Sequence, residues 1–86
     1  MTLNLLKDRQ STHGTYSDNA NLHEFLMAIL TRSEKWHALP NTVKYGLNCI
    51  MMKICRIVNG DSSFADHYDD IAGYAIKTKE SVDGTN

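Results

Sequence analysis

Two amphipathic segments on either side of the break Asn59-Gly60-Asp61 constrain the fold of this chain more than any other feature. In the first, apolar residues recur at intervals of four and three, which is the spacing of one face of an α-helix. These residues are Val43, Leu47, Ile50, Ile54 and Ile57. The second has the same period, carried by Phe64, Tyr68, Ile71, Ala72 and Ala75. The pair predicts an antiparallel helical hairpin whose first helix is the central helix of the fold.

A third amphipathic helix is predicted before Pro40. Its apolar residues follow the i, i+3, i+4, i+7, i+8 pattern, and they are Leu22, Phe25, Leu26, Ile29 and Leu30. Ser17 or Asp18 is suited to cap its start. A short N-terminal helical turn is indicated by Leu3, Leu5 and Leu6 and should end before Ser11. The sequence thus predicts an all-α bundle with three main helices near residues 18–34, 41–58 and 63–80, plus a short N-terminal helix.

The same periodicity predicts the hydrophobic core. We expect it to consist of Leu26, Ile29, Leu47, Ile50, Ile54 and Ile71. Two glycines carry further expectations. Gly60 is free to end the central helix in the left-handed conformation, and Gly73 lies in mid-helix, where a tight packing contact would explain it.

The length of 86 residues fits one domain, 1–86, with a turn and loop over 1–16 and a flexible tail over 81–86. Hydrophobic residues make up 42% of the chain and charged residues 22%, as in folded proteins rather than disordered ones. A domain this small is marginally stable, and Cys49, Met51 and Met52 widen the apolar face of the central helix. We therefore expect the chain to form a homo-oligomer.

Charge and apolar content exclude several classes of partner. Nine basic and ten acidic residues give a net charge of −1, which supplies no general attraction to nucleic acid or to an anionic membrane. No apolar run approaches the roughly 20 residues that span a bilayer. Cys49 and Cys55 lie six positions apart on one helix and cannot form a disulfide, so we expect reduced thiols. These features predict a cytoplasmic protein, in a bacterium or an infected cell.

The charged residues nearest the break are the first candidate site. Lys53 and Arg56 lie three residues apart on the central helix, and Asp66, Asp69 and Asp70 follow on the next one. In an antiparallel hairpin, Asp70 comes within reach of both cations. Two interpretations remain open: an ion pair that fixes the register of the hairpin, or a phosphate or metal site.

The aromatic residues Tyr16, Trp36 and Tyr45 are the second set of candidates, because Tyr and Trp on a small domain are typical anchors of protein interfaces. They are equally typical as caps on a small bundle. The four histidines are scattered and match no metal-ligand spacing, and no nucleophile or nucleotide-binding motif is present. We therefore expect no catalytic residue, no metal site and no cofactor.

Three pieces of the chain resemble a family of small phage and prophage proteins of unknown function. They are Thr12–Ala20 (THGTYSDNA), Lys53–Asp61 (KICRIVNGD) and Asp69–Ala75 (DDIAGYA). That family is in turn similar to the all-helical (MazG-like) nucleoside-triphosphate pyrophosphatases, which hold magnesium with two pairs of carboxylates on facing helices. The resemblance places those pairs at Tyr45 with Asn48 and at His67 with Asp70, where only Asp70 is a carboxylate. Magnesium requires oxygen ligands, so the resemblance implies that the scaffold is kept and the catalytic set is lost.

The resemblance implies a non-catalytic phage accessory protein that acts by binding a host or phage protein, for example as an inhibitor of a host enzyme or of a defence system such as CRISPR. One alternative is a nucleotide-binding protein or residual pyrophosphatase that uses Lys53, Arg56 and Asp70. Another is a structural homodimer without a small-molecule site.

Overall fold

The computed structural model describes the backbone of residues 2–84 and the side chains of residues 7–84. Leu3, Leu5 and Leu6, on which the N-terminal turn was predicted, lie outside the described side chains. The described part is all-α, as predicted, with no strand. Its helices are α1 (Thr2–His13), α2 (Tyr16–Leu30), α3 (Glu34–His37), α4 (Asn41–Asn59) and α5 (Ala65–Asp83).

Helix α4 is the central element, and it packs against α5, α2 and α1. The hairpin of α4 and α5 is antiparallel, since Lys53 pairs with Asp70 while Gly46, nearer the start of α4, faces Thr78, nearer the end of α5. The predicted hairpin and central helix are therefore present. No helix within residues 2–84 is both long and apolar enough to cross a membrane.

The ends of the helices differ from the predicted ones. Helix α1 runs to His13, and Gly14, with φ of 77°, ends it by donating its N–H to the carbonyl of Gln10. Thr15, rather than Ser17 or Asp18, caps α2 by accepting the N–H of Asp18. Residues 31–33 interrupt the predicted 18–34 helix, and the short α3 follows.

Helix α5 continues three residues into the predicted flexible tail. An ion pair of 2.7 Å joins Lys79 to Asp83, four residues apart, where it supports the last turn. Gly84, with φ of 74°, then ends the helix in the left-handed conformation, and its N–H donates to the carbonyl of Glu80. Both features are local to the last turn, where they support the extension of the helix.

Gly60 does not adopt the expected left-handed conformation, because its φ is −117°. The loop after α4 instead approaches the last turn of α1, where a Cβ on Gly60 would overlap the carbonyl of Thr12. The adjacent N–H of Asp61 donates to that carbonyl at 3.0 Å. Close approach, rather than backbone conformation, explains the glycine here.

The predicted core is much more exposed than expected. Leu26, Ile50 and Ile71 are half-buried, whereas Ile29, Leu47 and Ile54 are exposed. The only buried apolar side chains described are those of Cys49 and Cys55, which are free thiols as predicted. Burial raises the pKa of the Cys55 thiol, which disfavours the reactive thiolate.

The inner face of α5 is also different from the predicted one. Tyr68, Ala72 and Ala75 are exposed. The buried and half-buried residues follow another helical stripe, one residue out of step, which consists of His67, Ile71, Tyr74, Thr78 and Ser81. This stripe is largely polar, so a search for apolar period alone selects its neighbour.

The tight helix contact lies at Gly46 and not at Gly73. A Cβ on Gly46 would overlap the Thr78 hydroxyl and lie 3.0 Å from the Thr78 Cβ. A Cβ on Gly73 would meet nothing within 4 Å. The expectation for Gly73 was therefore wrong. The close approach of α4 to α5 depends on the absence of a side chain at Gly46.

Candidate functional site

An ion pair joins the two helices of the hairpin at the position predicted from their register. The Lys53 ammonium lies 2.9 Å from the Asp70 carboxylate. The Lys53 side chain is mostly buried and that of Asp70 is about half exposed, at 13% and 49%. The hydrogen bond and charge of Lys53 hold the pKa of Asp70 below its ordinary value.

The other members of the predicted cluster are separated from this pair to different degrees. Asp69 lines the same shallow depression, together with Lys77 and Gly73. Asp66 is exposed in the first turn of α5 and does not line it. Arg56 lines the clefts between α4 and α2, and its charge lowers the pKa of Asp70 less than that of Lys53 does. The cluster of five residues predicted from the sequence is thus not one site.

A junction between α1 and α5, not predicted from the sequence, lies beside the ion pair. The His67 ring is 1% exposed, and its Nε2–H donates to the carbonyl oxygen of Thr12 at 2.6 Å. The N–H of Asp61 donates to the same oxygen. One carbonyl of α1 therefore holds both α5 and the loop that precedes it.

Aromatic rings close the junction. His13, Phe64 and His67 meet edge to face, with centroids between 5.0 and 5.5 Å apart. Burial, and then the charge of Arg9, hold the pKa of His13 below its ordinary value of 6.5, with smaller contributions from His67 and Arg56. The helical stripe that begins at His67 is the signal that could have placed this histidine on the inner face of α5, although it does not indicate α1 as the partner.

A cleft of about 260 Å³, which we call the basic cleft, opens beside the junction between α1, α2 and α4. The side chains with polar groups that line it are those of Arg9, Gln10, His13, Tyr16, Asn19 and Arg56. No carboxylate lines this cleft. Within the described residues, neither guanidinium group forms a salt bridge or a hydrogen bond. The site residue Arg56 was predicted, whereas Arg9 and His13 were not.

A second cleft of about 270 Å³, the neutral cleft, continues from the first along α2 and α4 and shares Tyr16, Asn19 and Arg56 with it. Met52 and Cys55 provide its apolar wall. Its polar wall consists of His23 and Asn48, and the His23 Nε2–H donates to the Asn48 side-chain oxygen. Glu24 is the single carboxylate among its lining residues.

Three of the positions that the resemblance assigns to metal ligands hold side chains with partners inside the protein. Asp70 pairs with Lys53, His67 with Thr12, and Asn48 with His23. The fourth, Tyr45, is exposed, and a hydrogen bond with the Cys49 thiol raises the pKa of its hydroxyl. Over the residues that the structure describes, no group of three or more His, Cys, Asp or Glu side chains could hold a metal ion.

The three predicted interface aromatics lie in different surroundings. Tyr16 is 91% exposed on the rim of both clefts. Tyr45 is 68% exposed beside Tyr74, where α4 meets the end of α5. Trp36 is half-buried in α3. The structure therefore does not bring these three residues together on one surface.

Comparison with known protein families, with curated proteins and with solved structures finds no match to this chain. The resemblance to small phage proteins consequently stays a prediction.

Proposed function

We propose that this chain is a non-catalytic accessory protein that acts by binding another protein through one face of α4. We call this face the α4 stripe, and it consists of Leu47, Met51, Ile54 and Val58. The observation that carries the proposal is the exposure of this face. Val58 is 65% exposed, and the exposed fractions of Leu47 and Ile54 each exceed one third. Leu47 and Ile54 are exposed although they belong to the most regular apolar periodicity in the chain.

The position of the stripe on α4 explains its exposure. Asn48 and Asn59 contact α2 from one flank of α4, while Gly46 and Lys53 face α5 from the other. With about 100° between successive residues, the stripe lies between these flanks and faces away from α2 and α5. An apolar face in this position is typical of a protein-binding surface.

The total surface supports the same proposal. The chain exposes 6295 Å², whereas a compact monomer of 9.7 kDa exposes about 5,100 Å². The radius of gyration of 14.7 Å also exceeds the value of about 12 Å expected for this length. The excess of about 1,200 Å² is more than the roughly 800 Å² that each partner buries in a standard protein interface.

A second copy of the chain is the first partner that we propose, because two α4 stripes are alike and a twofold axis would bury both. A host or phage protein is the second partner, and a host enzyme or a defence system such as a CRISPR effector is the class that the resemblance implies. The absence of catalysis is supported by the internal partners of Asn48, His67 and Asp70, since ligand side chains held in this way are not free for magnesium.

Nucleotide binding at Lys53, Arg56 and Asp70, the alternative drawn from the sequence, has weaker support. Asp70 neutralises Lys53, and Arg56 lines the clefts between α4 and α2. The three side chains therefore do not surround a common space.

Sedimentation of the purified chain over the micromolar range tests the first partner. We expect a species of twice the monomer mass that dissociates on dilution. A single 9.7 kDa species at all concentrations would contradict self-association. Capture from infected-cell lysate on the immobilised chain tests the second partner, with competition by the free chain as the control for specificity.

A further inference from the structure

We propose that the basic cleft binds the phosphate group of a phosphomonoester, with Arg9, Arg56 and His13 as its ligands. The uncharged organic part of the ester would lie in the neutral cleft. This inference is independent of the proposed protein-binding function, because no residue of the α4 stripe lines either cleft.

The charges of the basic cleft are the first argument. Two guanidinium groups and an imidazole line a space of about 260 Å³ without a carboxylate. Arginine in such a position matches the geometry of phosphate oxygens, to which it donates paired hydrogen bonds. Like charges placed together destabilise a fold unless an anion joins them, so the cleft is electrostatically complementary to a phosphate dianion.

The protonation of His13 is consistent with this assignment. Its Nδ1–H is directed to the Thr12 hydroxyl and the Arg9 carbonyl, which leaves Nε2 as the ring atom available to a ligand. The charged groups near its ring are Arg9 on its own helix, Arg56 on α4 and His67 on α5. All three disfavour the imidazolium ion, and a bound phosphate would favour it.

Hydrogen bonds of one side chain hold the wall of the basic cleft together. The side-chain amide of Asn19 donates to the His13 carbonyl at 2.7 Å, and its oxygen accepts from Asn59 at 2.9 Å. Asn19 thereby ties α2 to the end of α1 and the end of α4. A site whose walls are fixed before binding loses less conformational entropy when the ligand arrives.

The neutral cleft determines which kind of phosphate fits. It is continuous with the basic cleft and has one apolar wall, from Met52 and Cys55, and one polar wall, from His23 and Asn48. Glu24 would repel a second anionic group there. The ligand therefore has one charged end and an uncharged body, which describes a phosphomonoester better than inorganic phosphate or a di- or triphosphate.

Calorimetric titration with four probes tests the inference: inorganic phosphate, adenosine, adenosine 5′-monophosphate and glucose 6-phosphate. We expect at least one of the two monoesters to bind more tightly than inorganic phosphate, and adenosine alone to bind more weakly than its monophosphate. Equal affinity for inorganic phosphate and both esters would overturn the role of the neutral cleft. The absence of heat with all four probes would overturn the site.

Arg56→Gln should weaken binding of the ester about ten- to a hundredfold, the loss expected for charge-assisted hydrogen bonds. Arg9→Gln should also weaken binding of the ester. Because Arg9 is exposed on α1, this variant replaces Arg56→Gln in the test if Arg56→Gln fails to fold. The matched control is Arg32→Gln, because Arg32 is exposed and lines neither cleft. Unchanged affinity in both cleft variants would place the ligand elsewhere.

A proton NMR titration of His13 adds a readout that a purely structural role would not move. We expect the pKa of His13 to rise when the ester saturates the site, while the ring resonances of exposed His37 do not respond to the ester. If the pKa of His13 is the same with and without a bound ester, the proposed contact with the phosphate is wrong. Sedimentation of Arg56→Gln separates this result from the protein-binding proposal, because self-association should be unaffected.

Discussion

The Lys53 ammonium lies 2.9 Å from the Asp70 carboxylate, while Arg56, one turn further along α4, lines the clefts between α4 and α2. Three residues correspond to about 300° of rotation, so these two side chains leave α4 some 60° apart. That difference is enough to direct Lys53 towards α5 and Arg56 towards α2. Two cations that look equivalent in the sequence therefore have separate roles.

Asp70→Asn should lower the denaturant midpoint slightly, and the difference from the parent should vanish near 1 M NaCl, where the screening length is about 3 Å. The effect is small because the carboxylate is exposed to solvent. Asp69→Asn is the matched control, since no ion pair of Asp69 is present among the described residues. We also expect magnesium to leave the midpoint of the parent unchanged. A magnesium-dependent gain that Asp70→Asn abolishes would contradict the non-catalytic proposal.

The same ion pair predicts a loss of stability in acid. Lys53 holds the folded-state pKa of Asp70 below its ordinary value of 3.8. The unfolded chain therefore takes up a proton first as the pH falls. The contribution of the pair should be complete above about pH 5 and should disappear as the pH falls through the folded-state pKa. Denaturant midpoints of the parent and of Asp70→Asn should converge over this range, and a constant difference would exclude the pair as the cause.

His67→Ala should destabilise the fold by about 2–4 kcal/mol, because it leaves a cavity and removes the hydrogen bond to Thr12. The control is His37→Ala. His37 also donates from Nε2 to a backbone carbonyl, that of Thr31 at 2.8 Å, but it is exposed. Its replacement should change the free energy of unfolding by less than about 0.5 kcal/mol. Equal effects of the two substitutions in urea denaturation would show that the junction contributes nothing beyond an exposed hydrogen bond.

Val58→Lys should weaken self-association about tenfold or more, since it places a charge at a contact that we propose to be buried. Val82→Lys is the matched control, because both valines lie near the end of a helix and are similarly exposed, at 65% and 69%. Sedimentation equilibrium measures both. Dissociation of the two variants at the same concentration would show that the α4 stripe is not the interface.

Gly46→Ala and Gly73→Ala should change stability in opposite directions. The new methyl group at position 46 overlaps Thr78, and forcing the helices apart should cost about 1–3 kcal/mol. At position 73 the methyl group meets nothing within 4 Å, and the better helix propensity of alanine should stabilise by about 0.5–1 kcal/mol. Thermal denaturation of the two variants gives the comparison. Adding Thr78→Ala to Gly46→Ala should recover part of the loss.

The sequence predicts helices in this chain better than it predicts their environment. The periodicity of α4 indicated the central helix, because four- and three-residue intervals are a local property of the chain. It also grouped Leu47 with Ile54, but period shows only which residues share a face and not whether a neighbour covers that face. Both residues are exposed, so replacing either with alanine should cost less in the isolated monomer than the 2–5 kcal/mol typical of a core position.

The candidate site divides in the same way. The register of a helical hairpin predicts the pairing of Lys53 with Asp70, because the two residues belong to adjacent helices. The contact of Thr12 with His67 joins residues 55 positions apart, and no local pattern specifies it. Arg9 and His13 enter the basic cleft through the same long-range contact, which is why the sequence did not identify them.

The hydrogen bond between Thr12 and His67 also determines when the fold can be completed during synthesis of the chain. Helix α1 leaves the ribosome before α5, and the His67 ring that donates to the Thr12 carbonyl follows 55 residues later. The hairpin of α4 and α5 has only a short loop to close, whereas docking of α1 closes most of the chain. We therefore expect the basic cleft to form last, after the start of α5 has emerged. A nascent chain that stops before His67 should carry α1 undocked and the basic cleft incomplete.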